Sequence, residues 1–362
     1  MSSREKMPIY RIAAEDLETY VTAIVRAMGS DEREAGLVVR HLMEANLTGH
    51  DSHGISMLPS YKRSIDDGNL KLGGAPKVLK DSGPVMLFDG ENRYGQMVAH
   101  VVTEKAIERA REHGFAIVGL RNAHHIGRIG HWGGMCAAAG LISIHYVNGT
   151  AAMFVAPHGG SDRRFLTNPY CTAIPGMDGQ PPVVLDMATS QIAMGKVRVA
   201  YHGGNEVPDG SLIDHQGRAT NNPAVMYEAP FGALLPIGGH KGYGLAMICD
   251  LLAGSLTGGG SNLPERNMKN NIINNMLMIV LRPDLFDETD QVLADMNAFR
   301  SHVQASPAAP GVEAVLVPGD PERNTRAERL RDGVPIDGGT WDEVAAVARA
   351  VGVAVPNKPE PL

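Results

Sequence analysis

The sequence predicts an α/β fold, and three observations carry that prediction. Strand-like apolar runs alternate with segments of helical periodicity, and glycine rises to 42 of 362 residues, about 12% against an average near 7%. Aromatic residues are held to 5%. Interleaved strands and helices build a sheet with helices packed on it. The glycines follow no G-X-Y period and sit in a chain that is 43% hydrophobic, so they punctuate a compact fold with corners suited to ligand binding. With 33 Lys and Arg against 40 Asp and Glu, the formal charge of −7 gives no electrostatic reason to expect a nucleic acid or an anionic membrane as partner. Cys136, Cys171 and Cys249 lie far apart without a C-x-x-C spacing, which argues against a disulfide scaffold and for the cytoplasm. The first residues, MSSREKMPIYRIAAEDLE, lack an apolar targeting core, and the most apolar stretch, Leu245 to Leu252, is interrupted by Asp250 and is too short to span a membrane.

In chain order, Leu17, Tyr20, Ile24 and Met28 recur at helical spacing, Gly29 stops that helix, and Ser30-Asp31-Glu32 opens a second through Leu37, Leu42 and Ala45. Asn46 to Tyr61, NLTGHDSHGISMLPSY, reads as a helix terminus and a loop closed by Pro59. Val85 to Phe88 reads as a strand, Ala99 to Glu112 as a helix stopped by Gly114, and Phe115 to Leu120 as a strand. Arg121 to Trp132 then leads into a helix of small residues and a strand from Leu141 to Asn148. Further strands are expected at Pro182 to Met187, Asn275 to Leu281 and Ala314 to Pro318, with helices at Tyr243 to Leu256, Val292 to Val303 and Trp341 to Val351. Gly254 to Ser261, GSLTGGGS, reads as a mobile loop and Asn357 to Pro361 as a frayed tail.

Four constellations could carry chemistry. His50-Asp51-Ser52-His53-Gly54 sets two imidazoles beside a carboxylate and a hydroxyl, and imidazole moves protons near neutral pH. The same residues could simply cap a helix end. Asn122 to His131, NAHHIGRIGH, follows a buried-type strand, the usual place for ligand contacts in α/β enzymes, although a turn with surface histidines has the same pattern. GGHKGYG, Gly238 to Gly244, sets a glycine turn and Lys241 before an apolar helix, where a phosphate or nothing more than a cap could sit. VLDMATS, Val184 to Ser190, ends a strand with Asp186, Thr189 and Ser190, suited to sugar hydroxyls or to a helix N-cap. His50, His53, His124, His125 and His131 could in principle ligate a metal, but neither H-E-x-x-H nor a Cys/His zinc pattern is present, and no metal is expected. No G-x-G-x-x-G fingerprint follows a strand and no G-x-S-x-G elbow occurs.

Taken together and in order, DSHG with Pro59 and Tyr61, NAHHIGRIGHW, FLTNP (Phe165 to Pro169), VLDMATS, the pair GxxxxD and DxxGxxT near Gly210 to Thr220, and GGHKGYGLA resemble the malate/L-lactate dehydrogenase family of the non-Rossmann type, over Tyr10 to Val351. The resemblance implies the sulfolactate dehydrogenase type of NAD(P)-binding fold. It divides the chain into an N-terminal helical region, 1–75, packed with a C-terminal one, 322–362, around a central α/β cofactor region, 76–321. It implies a homodimeric oxidoreductase that uses NAD or NADP to interconvert 2-oxo and 2-hydroxy acids, or, as an alternative, to reduce cyclic imino acids. A metal-dependent hydrolase built on the histidines is the alternative from another class. By position in the motifs, His53 is the acid/base, with Ser52 beside it and His125 as the second imidazole. Cofactor contacts are expected from His53, Gly127, Arg128, Ile129, Asn148, Gly149, Asn168, Leu185, Asp186, Met187, Ala188, Thr189, His240, Lys241, Asn274, Pro318, Gly319, Asp320 and Pro321. Many relatives place an Arg four residues after the catalytic His to hold the substrate carboxylate, where this chain has Met57. Arg128 is then the replacement cation for substrate, or else a partner for cofactor phosphate.

Overall fold

The computed structural model describes residues 8–150, 152–177, 179–266 and 271–357. It opens with β1 (Ile9–Ile12) and the helical hairpin α1 (Ala14–Ala27) and α2 (Glu32–Leu47). Gly29 turns the chain at φ 107°, a backbone region that side chains disfavour, and Asp31 caps α2 by accepting the Glu34 N–H at 2.8 Å. Two 3₁₀ turns, Asp51–His53 and Ile55–Met57, then feed α3 (Leu58–Asp66). Pro59 therefore opens a helix where the sequence suggested the end of a loop, because its fixed φ and missing N–H suit a first helical turn.

The central region runs β2 (Lys77–Ser82), β3 (Val85–Asp89), α4 (Gly95–His113), β4 (Phe115–Ala123), α5 (Gly130–Ala138), β5 (Ile142–Gly149), β6 (Tyr170–Ile174), β7 (Val183–Met187) and α6 (Met194–Gly203). The short strands β8 (Leu212–Ile213), β9 (Ala219–Thr220) and β10 (Ala233–Leu234) follow, then α7 (His240–Cys249), which continues as a π-helical turn, Asp250–Leu256. Last come β11 (Asn274–Leu281), α8 (Thr289–Gln304), α9 (Asp320–Asp332), β12 (Val334–Asp337) and α10 (Gly338–Ala350). The main sheet has the order β2-β3-β4-β11-β5-β6-β7, in which only β3 and β4 are parallel. β1 and β12 pair antiparallel and so tie the two ends of the chain together.

Ala314 to Pro318 is not a strand, since the Asp320 carboxylate accepts the Val317 N–H at 2.9 Å and removes a donor that a ladder would need. The expected mobile loop at Gly254 to Ser261 is held in place: Gly254 lies in the π turn, the Gly260 N–H donates to the Gly254 carbonyl at 2.8 Å, and Asn148 Nδ2 donates to the Gly260 carbonyl at 3.0 Å. Most of the expected frayed tail lies outside the described residues.

Leu17, Leu42, Leu58, Tyr61 and Trp341 belong to one apolar core formed by α1, α2, α3 and α10. A second core, with Val102, Val118, Leu120, Trp132 and Met278, fills the space between the main sheet and α4 and α5. Two fully buried histidines sit in this frame. His124 Nε2 lies 3.1 Å from Ser64 Oγ, and His145 Nε2 lies 2.9 Å from Ser143 Oγ. Burial pushes both imidazoles down from 6.5 to about 3. The unfolded chain then binds the extra protons between these values, so their contribution is full above pH 6.5 and lost as pH falls toward 3. At pH 5 each is expected to cost about 2 kcal/mol. Urea unfolding midpoints measured at pH 7 and pH 5 check this, and an unchanged midpoint contradicts it.

Candidate active site

Within the His50 to Gly54 turn, His50, Asp51, Ser52 and His53 line a cavity, and Asp51 and Gly54 also hold the turn in place. Asp51 Oδ1 accepts from Arg329 Nη1 at 2.6 Å and from Asn46 Nδ2 at 2.7 Å, while its Oδ2 accepts from Arg329 Nη2 at 3.1 Å. Asn46 Oδ1 takes the Ile55 N–H at 2.9 Å, and Gly54 packs so closely on the Asn46 amide that a Cβ there would overlap it. His50 Nε2 lies 3.4 Å from Glu322 Oε1. Ser52 Oγ lies 3.0 Å from His53 Nδ1, which leaves His53 Nε2 without a hydrogen-bond partner among the described residues. The His53 ring stacks on His125 with centroids 5.5 Å apart and planes 26° apart. Behind His125, Tyr61 Oη lies 2.7 Å from its Nδ1, and Gln96 Nε2 donates to Tyr61 Oη at 2.6 Å.

The second histidine cluster follows β4 and is held by three other elements. Gly127, at φ 73°, passes so close to His41 that a Cβ would fall on the imidazole, and His41 Nε2 accepts the Arg128 N–H at 2.8 Å. Asn274 Oδ1 at the start of β11 takes the Ile126 N–H at 3.0 Å, and Asp186 Oδ2 on β7 takes the Gly130 N–H at 2.8 Å. That same carboxylate oxygen forms a buried ion pair with Arg128 Nε at 3.2 Å, in a geometry that leaves the Nε–H without a hydrogen bond.

These pieces surround a cavity of about 850 Å³. From the expected set it gathers Ser52, His53, Met57, His125, Gly127, Arg128, Ile129, Asp186 and Ala188. The rest do not line it. Asn148, Gly149, Asn168 and Asn274 form a buried polar web: Asn148 Nδ2 and Asn168 Nδ2 donate to the two carboxylate oxygens of Asp250 at 3.0 and 3.1 Å, Asn168 Oδ1 accepts the Gly149 N–H at 3.4 Å, and Asn274 Nδ2 donates to the Asn148 carbonyl at 3.3 Å. Leu185 and Met187 lie on β7, Thr189 donates to the Thr167 carbonyl at 2.9 Å, His240 and Lys241 form the first turn of α7, and Pro318 to Pro321 enter α9. Sequence reasoning missed Lys196 and Arg198, which reach the cavity from α6, and Gly195, where a Cβ would overlap Ser52. Two cations on a short helix just after VLDMATS were the available signal. Tyr61 and Gln96 were missed as site residues too, each a polar side chain on a helix face that is otherwise apolar.

Burial, with His50 adding to it, lowers His53 from 6.5 to about 4; Asp186 opposes that shift and Arg128 reinforces it. Burial, together with His53 and His124, holds His125 well below its usual value. Both rings are therefore neutral at pH 7, and a neutral imidazole with an open nitrogen is a competent base. Among the described residues no group of three or more His, Cys, Asp or Glu side chains is placed to hold a metal ion, and no helix is long and apolar enough to cross a membrane.

A mixed α/β sheet with paired imidazoles and an Arg–Asp ion pair facing one cavity has the make-up of an α/β enzyme. The chain belongs to the malate/L-lactate dehydrogenase family, whose profile matches residues 12–345. It is 46% identical over 346 residues, 95% of each chain, to hydroxycarboxylate dehydrogenase B of Escherichia coli (strain K12). To an L-lactate dehydrogenase of Cupriavidus necator it is 41% identical, over 88% of this chain and 92% of that one. A solved E. coli structure of the malate/lactate dehydrogenase type matches with a TM-score of 0.91 and 46% identity, covering 95% of this chain and 96% of that chain. The fold is thus the one the sequence resemblance implied.

The site's electrostatics predict a titration. In the protein without added substrate or dinucleotide, the ring protons of His53 should titrate with a midpoint near about 4, and Asp186→Asn should move it lower because a charge that favours the imidazolium is removed. NMR measures both, and a midpoint at 6.5 contradicts burial as the dominant cause.

Proposed function

We propose that this cavity interconverts 2-oxo acids and 2-hydroxycarboxylic acids with NAD or NADP, and that His53 carries the proton at the C2 oxygen. The observation that supports this best is His53 itself, held by Ser52 at one ring nitrogen, open at the other, and stacked on a second imidazole. The residues present fit a nicotinamide dinucleotide. A cavity of about 850 Å³ suits a ligand larger than a small acid, and its wall carries Arg128, Lys196 and Arg198 for phosphates or carboxylate, with the buried Arg128 side-chain Nε–H without a hydrogen bond among the described residues. When bound, the nicotinamide supplies or accepts the hydride at C2.

In the oxidation direction neutral His53, the form that burial favours, accepts the hydroxyl proton. In the reduction direction the substrate carboxylate brings a negative charge into the cavity and favours the imidazolium that donates it back. Met57 lines the cavity with an apolar side chain, so Arg128 is the cation nearest the histidine loop for the carboxylate, competing with Asp186 for it. Gly127, Ile129, Asp186 and Ala188 are assigned to cofactor contact inside the cavity, and Asn148, Gly149, Asn168 and Asn274 to bracing its walls. Leu185, Met187, Thr189, His240, Lys241 and Pro318 to Pro321 are assigned to contacts beyond it. A homodimer is supported by the exposed apolar side chains Met247, Ile248, Leu251 and Leu256 on α7 and its π extension, and a cytoplasmic site of action by three buried free thiols.

Oxidation of NADH and of NADPH, followed by the absorbance of the reduced nicotinamide, tests this against glyoxylate, hydroxypyruvate, phenylpyruvate and cyclic imino acids. Turnover of the 2-oxo acids is expected, and turnover of the imines alone overturns the substrate class. His53→Ala is expected to lower kcat by about 10²- to 10⁴-fold while dinucleotide binding persists. Arg128→Leu is expected to raise KM for the 2-oxo acid by about 10- to 100-fold, and an unchanged KM removes Arg128 from the carboxylate site.

A further inference from the structure

The two imidazoles of the site are held differently, and the difference fixes their roles. His53 meets a hydroxyl that can donate or accept, so Ser52 leaves its tautomer open. His125 meets Tyr61 Oη at 2.7 Å, and that oxygen already accepts a hydrogen from Gln96 Nε2 at 2.6 Å. Tyr61 has a single proton, and with Gln96 donating to its oxygen that proton points to His125 Nδ1. Nδ1 is then the acceptor, and the ring hydrogen of the neutral imidazole must sit on Nε2. The reverse orientation of the Gln96 amide would leave a buried NH₂ unmet, whereas the present one leaves only a carbonyl oxygen unmet, the less costly deficiency. Tyr61 and Gln96 are both fully buried, so no solvent competes for these bonds. His125 Nε2 has no hydrogen-bond partner among the described residues, and its ring lines the cavity beside His53.

We propose that Gln96 and Tyr61 are positioning residues that lock His125 as the Nε2–H tautomer, so that it serves as a fixed hydrogen-bond donor to the substrate oxygen and not as a second acid/base. The inference rests on the 2-oxo acid reading of the cavity. During reduction the C2 oxygen gains negative charge as hydride arrives at carbon; His125 Nε2–H stabilises it without giving up its proton, and His53 delivers the proton that completes the hydroxyl. Atoms balance with a single proton moved, from His53.

The experiment pairs a structural readout with a kinetic one. In histidine-¹⁵N-labelled protein, ring correlation spectra are expected to show His125 with a bare Nδ1 and a protonated Nε2. Tyr61→Phe, nearly isosteric in the core, is expected to make the tautomers mix and to lower kcat on the order of 10- to 100-fold, less than outright loss of an oxyanion donor, with KM for the 2-oxo acid changed far less. Gln96→Met removes the donor that fixes the direction of the Tyr61 proton, so the His125 tautomers should mix and kcat should fall by an amount similar to that in Tyr61→Phe. A wild-type spectrum with Nδ1 protonated, or Tyr61→Phe with wild-type kcat, overturns the lock. The spectrum is read without substrate, so the expected tautomer together with an inert 2-oxo acid panel upholds the lock and refutes the substrate reading instead.

Discussion

The position of the turn bearing His53 depends on one long-range bond set, the grip of Arg329 on Asp51. The two residues are 278 positions apart, and the guanidinium of α9 reaches both carboxylate oxygens and the Asn46 carbonyl. Asn46 then holds the Ile55 N–H, and Gly54 fits against its amide. That clamp joins the 3₁₀ turn that presents Ser52 and His53 to α9, and the Ser56 hydroxyl, which donates to the Asp51 carbonyl at 2.7 Å, holds the same turn from its other side. The helix that supplies the clamp has no buried residue, and it is fastened further by the ion pair of Arg326 with Glu44 and by the contact of His50 Nε2 with Glu322 at 3.4 Å. Exposed pairs contribute little each, but several that converge on one turn act as a network.

Around this turn the fold divides two tasks between two loops. The first loop carries a histidine whose second nitrogen is left open, and the second carries a histidine whose back nitrogen is occupied by Tyr61. The Ile126 to Gly130 stretch is held in place, because Asn274, His41 and Asp186 accept its N–H groups at Ile126, Arg128 and Gly130 from three separate elements. Asp186 does this with the same oxygen that pairs with Arg128, so the shape of the loop and the availability of its cation are coupled.

Much of this was legible in the sequence where apolar periodicity or a dense motif marks it. The α1–α2 hairpin, β4, β5, β11 and α10 lie close to where spacing puts them, and both histidine loops stand out by composition. α9 stayed hidden because DPERNTRAERLRD has no apolar face and is placed by charge. β2 stayed hidden because all six of its residues are exposed, so no alternation marks it. Ala314 to Pro318 misled in the opposite sense, since its apolar run finds no ladder. In the site, motif order could point to His53 and His125 but not to the Arg128–Asp186 pair or the Gln96–Tyr61 relay. Those join residues 58 and 35 positions apart, and side-chain geometry that spans such separations leaves no local signature.

The antiparallel pairing of β1 with β12 bears on biosynthesis. Strand partners for Ile9–Ile12 emerge from the ribosome only when Val334–Asp337 has been made, and Arg329 emerges just before them. The hairpin α1–α2 and the β2-β3-β4 end of the sheet can form early from local contacts, but β5 joins that end only through β11, and the turn bearing His53 stays unclamped until Arg329 has been made. A chain that stops short of α9 would therefore carry its main sheet with a slack turn at Ser52 and His53, so the position of that imidazole is set only after the sheet beside it has been made.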